Sequence, residues 1–398
     1  MIKTPKLKEK SLFSQKSFPC SQCGANLVFC ADEDALKCTY CGVVNQINPP
    51  PIPINELDLN DALANIRTHD YSVDKPDREV KCPSCAASFS IDLHTRSTRC
   101  PYCKSPIVTN ADIFMPLSPK SLLPFDLNHD DAKEIFKKWV GNLWLAPSKL
   151  KDIYDTDSEL KGIYLPYWTY DSQTHATYHG RRGLVYHDRV TRRVFINGRE
   201  ELVEDVVERI EWTPVSGEVY DSFDDVLIGA THTIPRKLAD SLEPWDLENL
   251  TPYDERFLSG FDSEIYQVAL DEGFEYAKDY MKYSITEHVR YQIGGDRQQI
   301  TDLRVYHSDS TFKYILLPIW SAHFKHNNKE YRFAINARNG KIVGERPYSK
   351  MKIFLLVAGA LTVMGSIFYF GDFDNPGIEY GSPNIHVNPN STYIEIRF

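Results

Sequence analysis

Read as a string of apolar and polar positions, the chain predicts two long helices. The first is capped by Asn128, carries Asp130 and Asp131 in its opening turn, and sets Ala132, Ile135, Phe136, Trp139 and Val140 on one stripe before Gly141. The second covers 270–293, where Phe274, Ala277, Met281, Ile285 and Val289 recur at helical period and Gly294-Gly295 ends the run. A shorter helix begins at Asn60 with Leu63 and Ile66 on one face. Around these, alternation with period two predicts strands. Each long helix is followed by a similar phrase, Leu165-Pro166-Tyr167-Trp168 and Leu317-Pro318-Ile319-Trp320, leading into aromatic and polar alternation. A duplicated helix-then-meander unit, with halves 112–235 and 250–350, and a chance likeness are both open readings of that repeat. Proline within a strand places each phrase at an edge or bulge. The last hairpin joins EYRFAIN to KIVGE through Ala337-Arg338-Asn339-Gly340, with Asn-Gly supplying positive φ.

One run departs from this amphipathic pattern. Residues 353–370 (IFLLVAGALTVMGSIFYF) are 18 positions without a charge, about 27 Å as a helix. They predict a single transmembrane helix, the alternative being a buried core helix. Arg346, Lys350 and Lys352 before it, and Asp372 and Asp374 after it, orient a single-pass protein of the bacterial inner membrane. Residues 1–350 then lie in the cytosol and 371–398 form an extracytoplasmic tail. That tail ends in STYIEIRF, an alternating segment suited to adding a strand to a partner's sheet. At the other end, 1–17 read as a basic flexible arm, with Lys3, Lys6, Lys8, Lys10 and Lys16 against Glu9. Contact with anionic lipid is the functional reading of that arm.

Composition changes the picture in two ways. A net charge of −10 over 398 residues opposes any broad attraction to nucleic acid. Of nine cysteines, eight fall into four CxxC pairs with no cleavable signal before them, which points to metal thiolates in a reducing compartment rather than disulfides. Cys20-x2-Cys23 and Cys38-x2-Cys41 are separated by 14 residues, and Cys82-x2-Cys85 and Cys100-x2-Cys103 repeat that separation. Each set predicts a zinc ribbon holding one structural Zn2+ in a closed tetrahedron of thiolates. Redox chemistry is the weaker reading of the same motif. Cys30 aligns with Asp92 and falls outside the ligand set. The predicted fold class is therefore α+β. It comprises zinc ribbons at 18–47 and 80–108, a Pro-rich linker and short helix at 48–79, an antiparallel-sheet-rich α+β domain at 112–350, and a C-terminal transmembrane helix.

Other candidate chemistry is thinner. The first ribbon's excursion, Asp32, Glu33 and Asp34, would repel phosphate, whereas the second offers His94, Arg96, Arg99 and Lys104 as an anion or nucleic-acid contact. Arg181, Arg182, Arg189, Arg192 and Arg193 cluster on one predicted hairpin, followed by acidic residues from 200 to 225. They serve either cross-strand pairing or an anionic ligand. His175 and His179 with His323 and His326 would form a third metal site only if both meanders converge. No GxxxxGK[ST], HExxH or GxSxG motif is present, which argues against an enzyme.

Several phrases carry a family likeness: Trp212-Thr213-Pro214-Val215-Ser216-Gly217, Phe223-Asp224-Asp225-Val226-Leu227, Glu243-Pro244-Trp245-Asp246-Leu247, Gly294-Gly295-Asp296, and Gly344-Glu345-Arg346-Pro347-Tyr348-Ser349. With the paired ribbons, they resemble the bacterial membrane-anchored zinc-ribbon proteins labelled as similar to primosomal protein N′ (replication factor Y), a superfamily II helicase. The resemblance implies zinc on the eight cysteines. A helicase needs an ATP site, and none is written here. Three functions are expected to compete: a non-enzymatic membrane-anchored adaptor for a protein partner, a membrane-tethered nucleic-acid binder, and an unrecognised enzyme within 112–350.

Overall fold

The computed structural model describes residues 15–49, 53–68, 77–109, 117–143, 160–196, 199–326, 329–345 and 349–370. They belong to two units, Met1–Trp144 with Ser148–Pro347, and Leu145–Pro147 with Tyr348–Phe398.

In the first unit, ribbon 1 is a three-stranded sheet of β1 (Leu27–Cys30), β2 (Ala35–Cys38) and β3 (Val44–Gln46). Helix α1 (Leu59–Thr68) follows. Its first turn is capped by Asp58, whose Oδ1 accepts the Asp61 N–H at 2.8 Å, so the helix begins one residue before the predicted start at Asn60. Ribbon 2 is divided between two sheets. β4 (Asp77–Lys81) pairs with β5 (Ser88–Asp92), while β6 (Thr95–Arg99) and β7 (Pro106–Thr109) join the large sheet. Gln15–Lys16, counted with the basic arm, pair with β7, and Lys16 meets Glu255 at 2.8 Å. Residues 1–14 lie outside the described residues.

Helix α2 (His129–Gly141) has the predicted Asn128 cap and buries Ala132, Phe136 and Val140. The large sheet is then carried by three long strands, β8 (Lys161–Ile196), β9 (Arg199–Gly229) and β11 (Arg297–His326), with β10 (Asp262–Glu264), β12 (Lys329–Asn336) and β13 (Ile342–Gly344) beside them. β8 is antiparallel to β9 on one edge and to β11 on the other. Helix α3 (Leu270–Ile293) packs on β8, β9 and β11, burying Gly273, Ala277, Met281, Ile285, Val289 and Ile293 at four-residue spacing. Opposite this stripe, Ser172, Thr174, Ala176 and Tyr178 alternate into the interface.

The α+β expectation is corrected: among the described residues strand outweighs helix, 46% to 26%. The physical reason is the length of β8 and β11, whose open edges recruit short segments. Leu57–Asp58 and Ser121–Leu122 pair with β11, and β10 bridges β8 to ribbon 2. Helices lie singly on one continuous sheet.

The two Leu-Pro-x-Trp phrases face one another at its centre, with Leu165 paired to Leu317. Neither proline is at an outer edge or at the register shifts near Asp171 and His179. Pro166 stands where the β8 edge passes from β10 to β9, and Pro318 where the β11 edge passes from Ser121–Leu122 to β12. At such a changeover no ladder bond asks for the missing N–H. The surroundings match. The Trp168 indole donates to Val268 O at 3.0 Å and the Trp320 indole to Leu127 O at 2.9 Å, in each case two residues before a helix. Ala230 N donates to Pro166 O and Ala337 N to Pro318 O. In the final hairpin only Gly340 takes positive φ, +75°, and Asn339 does not.

The second unit contains α4 (Lys350–Phe370). Among the described residues no helix is long and apolar enough to cross a membrane. The predicted transmembrane helix is corrected on that ground. The single-pass inner-membrane placement, cytosolic N-terminus and extracytoplasmic tail, which all rested on it, fall with it. Residues 371–398 lie outside the described residues.

Both ribbons dock on one buried turn. Ser259 O accepts Phe29 N at 2.9 Å and Ser259 Oγ donates to Leu27 O at 2.7 Å. Gly260 O accepts Arg99 Nη2 at 2.7 Å and Nε at 3.2 Å, and Phe261 O accepts Ser97 Oγ at 2.9 Å. Gly260 has φ +95°, and a Cβ there would stand 2.0 Å from Val28 Cγ1. Gly260→Ala is therefore expected to cost at least ~1–3 kcal/mol from backbone strain. Differential scanning calorimetry should show a lowered midpoint, recovered only in part by adding Val28→Ala, which removes the clash but not the strain.

Candidate metal centres

Four CxxC turns share one geometry. The first cysteine of each, Cys20, Cys38, Cys82 or Cys100, donates its N–H to the carbonyl five residues on, at 2.7–2.9 Å. Its own carbonyl accepts the N–H four residues on at 2.9 Å, from Gly24, Gly42, Ala86 or Lys104. Closing that turn needs positive φ, and these four residues have +75°, +76°, +60° and +61°. Glycine takes such angles freely, whereas Ala86 and Lys104 take them at a cost of ~1–2 kcal/mol each.

The turns bring the sulfurs together in two groups of four, Cys20, Cys23, Cys38 and Cys41, and Cys82, Cys85, Cys100 and Cys103, each with all Sγ atoms within 4.8 Å of one another. Cys20 and Cys41 are 3.6 Å apart and Cys23 and Cys38 3.5 Å; Cys82 and Cys103 are 3.6 Å apart and Cys85 and Cys100 3.8 Å. Disulfide sulfurs lie near ~2.05 Å, so these are free thiols. Four thiolates about 2.3 Å from a tetrahedral zinc would stand ~3.8 Å apart, and the donor sets fit that ion. In each group two cysteines are buried and two exposed. The Cys38 thiol is pulled down to about 6, first by the Cys41 backbone N–H, and the Cys103 thiol to about 6, first by its hydrogen bond with Ser105. Cys30 faces Asp32 at 4.0 Å, outside the first group.

The remaining candidates do not converge. Arg96 is buried with its guanidinium 5.6 Å over the Tyr253 ring, and Arg99 is held by Gly260. Arg96 points into the protein, whereas Arg99 keeps an exposed side chain and lines a cleft together with Lys104. Lys104 is exposed and lines a cleft of about 420 Å³ with His129, Lys161 and Trp320. Arg182 bonds Ile293 O, Arg192 pairs with Asp205, and Arg181 lines a cleft with His179 and Thr301. Arg193 stands opposite Leu202. His175 bonds Glu218 at 3.1 Å and pairs in register with Tyr306. The backbone of His323 lies 17 residues beyond Tyr306 on the same strand, on the order of 55 Å away, so the histidines do not meet. The side chains of His323 and His326 lie outside the described residues.

A third acidic group, Glu56, Asp171 and Asp224, also falls within 4.8 Å. Its cation is Lys313, 3.2 Å from Glu56 and 2.7 Å from Asp225. Burial, then the Glu56 hydrogen bond, pushes Asp171 up to about 6. A cleft of about 570 Å³ is lined by Asp224, Arg236, Asp240, Glu243, Trp245 and Tyr280 among others and has no histidine or cysteine.

Two exposed side chains escaped the sequence reading. Tyr40 and Tyr102 each precede the last cysteine of a ribbon, and they are 84% and 68% exposed. Aligning the ribbons residue by residue would have paired them.

The chain is similar to "Uncharacterized protein YdjG" of Bacillus subtilis (strain 168), 25% identical over 351 residues that cover 86% of this chain and 93% of that one. No family model matches the chain, and no solved structure matches it.

The strained turns give a direct test. Ala86→Gly and Lys104→Gly should each stabilise ribbon 2 by ~0.5–1 kcal/mol, while Gly24→Ala and Gly42→Ala should weaken ribbon 1 by a similar amount. Metal release to a chromogenic chelator, followed against time, should slow in the first pair and quicken in the second.

Proposed function

We propose that the chain is a non-enzymatic scaffold in which two structural zinc ions hold the ribbons that bind a protein partner. Closed four-cysteine sets leave no coordination position for substrate, so the metal stabilises shape rather than performing chemistry. The carrying observation is the matched pair of tyrosines. Each second CxxC turn presents one beside its metal group, exposed and on a backbone fixed by that group. Aromatic side chains on rigid turns are the anchors that protein interfaces favour. Against nucleic acid stands the burial of Arg96 over Tyr253, which leaves two exposed cations in that trio, Lys104 and Arg99, the latter already engaged by the Gly260 carbonyl.

Elemental analysis should find two zinc ions per chain, falling to one in Cys20→Ser and one in Cys82→Ser, with circular dichroism reporting the fold. Tyr40→Ala combined with Tyr102→Ala should retain both ions and lose the proteins that the wild-type chain captures. Capture unchanged in that variant, or retention of nucleic acid that salt releases, would overturn the reading.

A further inference from the structure

The hairpin formed by β8 and β9 runs past everything that supports its base. Helix α3 ends at Ile293, and a Cβ on Gly180 would meet the Ile293 side chain at 2.9 Å, which fixes the level at which helical cover stops. The third strand ends at nearly the same level, because Arg297, the first residue of β11, pairs with Gly183. Beyond that line 184–196 and 199–211 pair only with each other among the described residues, for ~43 Å at 3.3 Å per residue.

A two-stranded ribbon is marginal in water unless a face is covered. Here both faces are open. Cross-strand partners share a face, so Leu184 and Tyr186 lie on one side and Ile210, Val206 and Leu202 on the other, with exposures of 37% to 70%. No strand lies against either outer backbone edge among the described residues, although Val185 N–H donates to Asp296 Oδ2 at 2.8 Å and Val206 N–H to Asp205 Oδ1 at 3.0 Å, and no proline interrupts 184–211. Strands that end at solvent ordinarily carry devices against such pairing.

The charges are sorted by strand. Residues 184–193 hold Arg189, Arg192 and Arg193 against Asp188, and 202–211 hold Glu204, Asp205, Glu208 and Glu211 against Arg209. Some of this closes within the first unit, through Arg192 with Asp205, Arg209 with Asp188 at 3.1 Å, and Arg297 with Glu208 at 3.9 Å. Arg189, Glu204 and Glu211 have no ion pair among the described residues. One edge of the ribbon is thus basic and the other acidic.

We propose that this ribbon is a self-association arm, in which the basic β8 edge of one copy pairs with the acidic β9 edge of a second copy. The site offered to the incoming strand is the position that β11 leaves vacant beyond Val185, whose N–H is held by Asp296. Pairing β8 with β8, or β9 with β9, would set like charges side by side, so charge selects the head-to-tail arrangement. Contacts of that kind build rings or open chains rather than closed two-fold dimers.

The test is sedimentation velocity on the full chain over a range of concentration and salt. Wild type is expected to associate, more weakly as salt rises. Arg189→Glu with Arg193→Glu, and separately Glu204→Lys with Glu211→Lys, should each raise the dissociation constant at least tenfold. An equimolar mixture of the two variants should associate again, because each then supplies the edge that the other has lost. A chain with 186–209 replaced by Asn-Gly, which keeps the Val185–Ile210 pair and the supported base, should be monomeric with its zinc content unchanged. A monomeric wild type, association indifferent to both charge reversals, or association that survives the shortening would each sink the proposal.

Discussion

The turn at Ser259, Gly260 and Phe261 holds the first unit together. Its backbone takes hydrogen bonds from both ribbons, and its side chain enters the core. Phe261 stacks on Phe125 at 3.9 Å, lies edge-on to Trp320 and Tyr164, and reaches Phe29 of ribbon 1 at 6.2 Å. Three structures that could each fold locally are thereby made to share one set of contacts. The space for that approach exists only because residue 260 has no side chain, since any Cβ would overlap Val28. Such a position cannot be read from one sequence: the glycine is single, and its neighbours in space lie more than 160 positions away.

What was legible follows the range of the interaction that encodes it. The eight thiols are fixed by spacing within a few residues, and their grouping follows directly. Helices α2 and α3 are fixed by periodicity and by their ends, an Asn128 capping box and a Gly294-Gly295 stop. The long strands were read as short meander elements because alternation alone does not say where a strand turns. The prolines misled for a related reason. A strand interior normally forbids them, but here the neighbouring strand changes at that residue and the lost donor has no partner to miss.

Charged residues were the least legible. Arg96 and Arg99 looked like a nucleic-acid footprint because the sequence shows sign and spacing but not direction. Tertiary contacts bury Arg96 over Tyr253 and tie Arg99, still exposed, to the Gly260 carbonyl. The arginines around 181–193 look like one cluster, yet the register separates them into a residue that ties the hairpin base to α3, Arg182, and residues that populate an unsupported edge, Arg189 and Arg193.

The two metal groups, alike in ligand geometry, differ in what they restrain. Ribbon 1 closes on itself, because its three strands pair with one another, with Cys38 and Cys41 at the turn between β2 and β3 and Cys20 and Cys23 in the turn before β1. Ribbon 2 is pulled apart by the large sheet: β4 and β5 stay together while β6 leaves to pair with β10, and the four thiols span the gap between the two sheets. Its metal therefore closes a loop whose far end is fixed by the main sheet. Strain at Ala86 and Lys104 is tolerable in that setting, since the flanking strands are held from outside and the turns need not favour their own conformation. Ribbon 1 has less outside support for its turns and uses glycine at both. The difference in residue type after the second cysteine of each turn thus follows from the difference in how each ribbon is anchored.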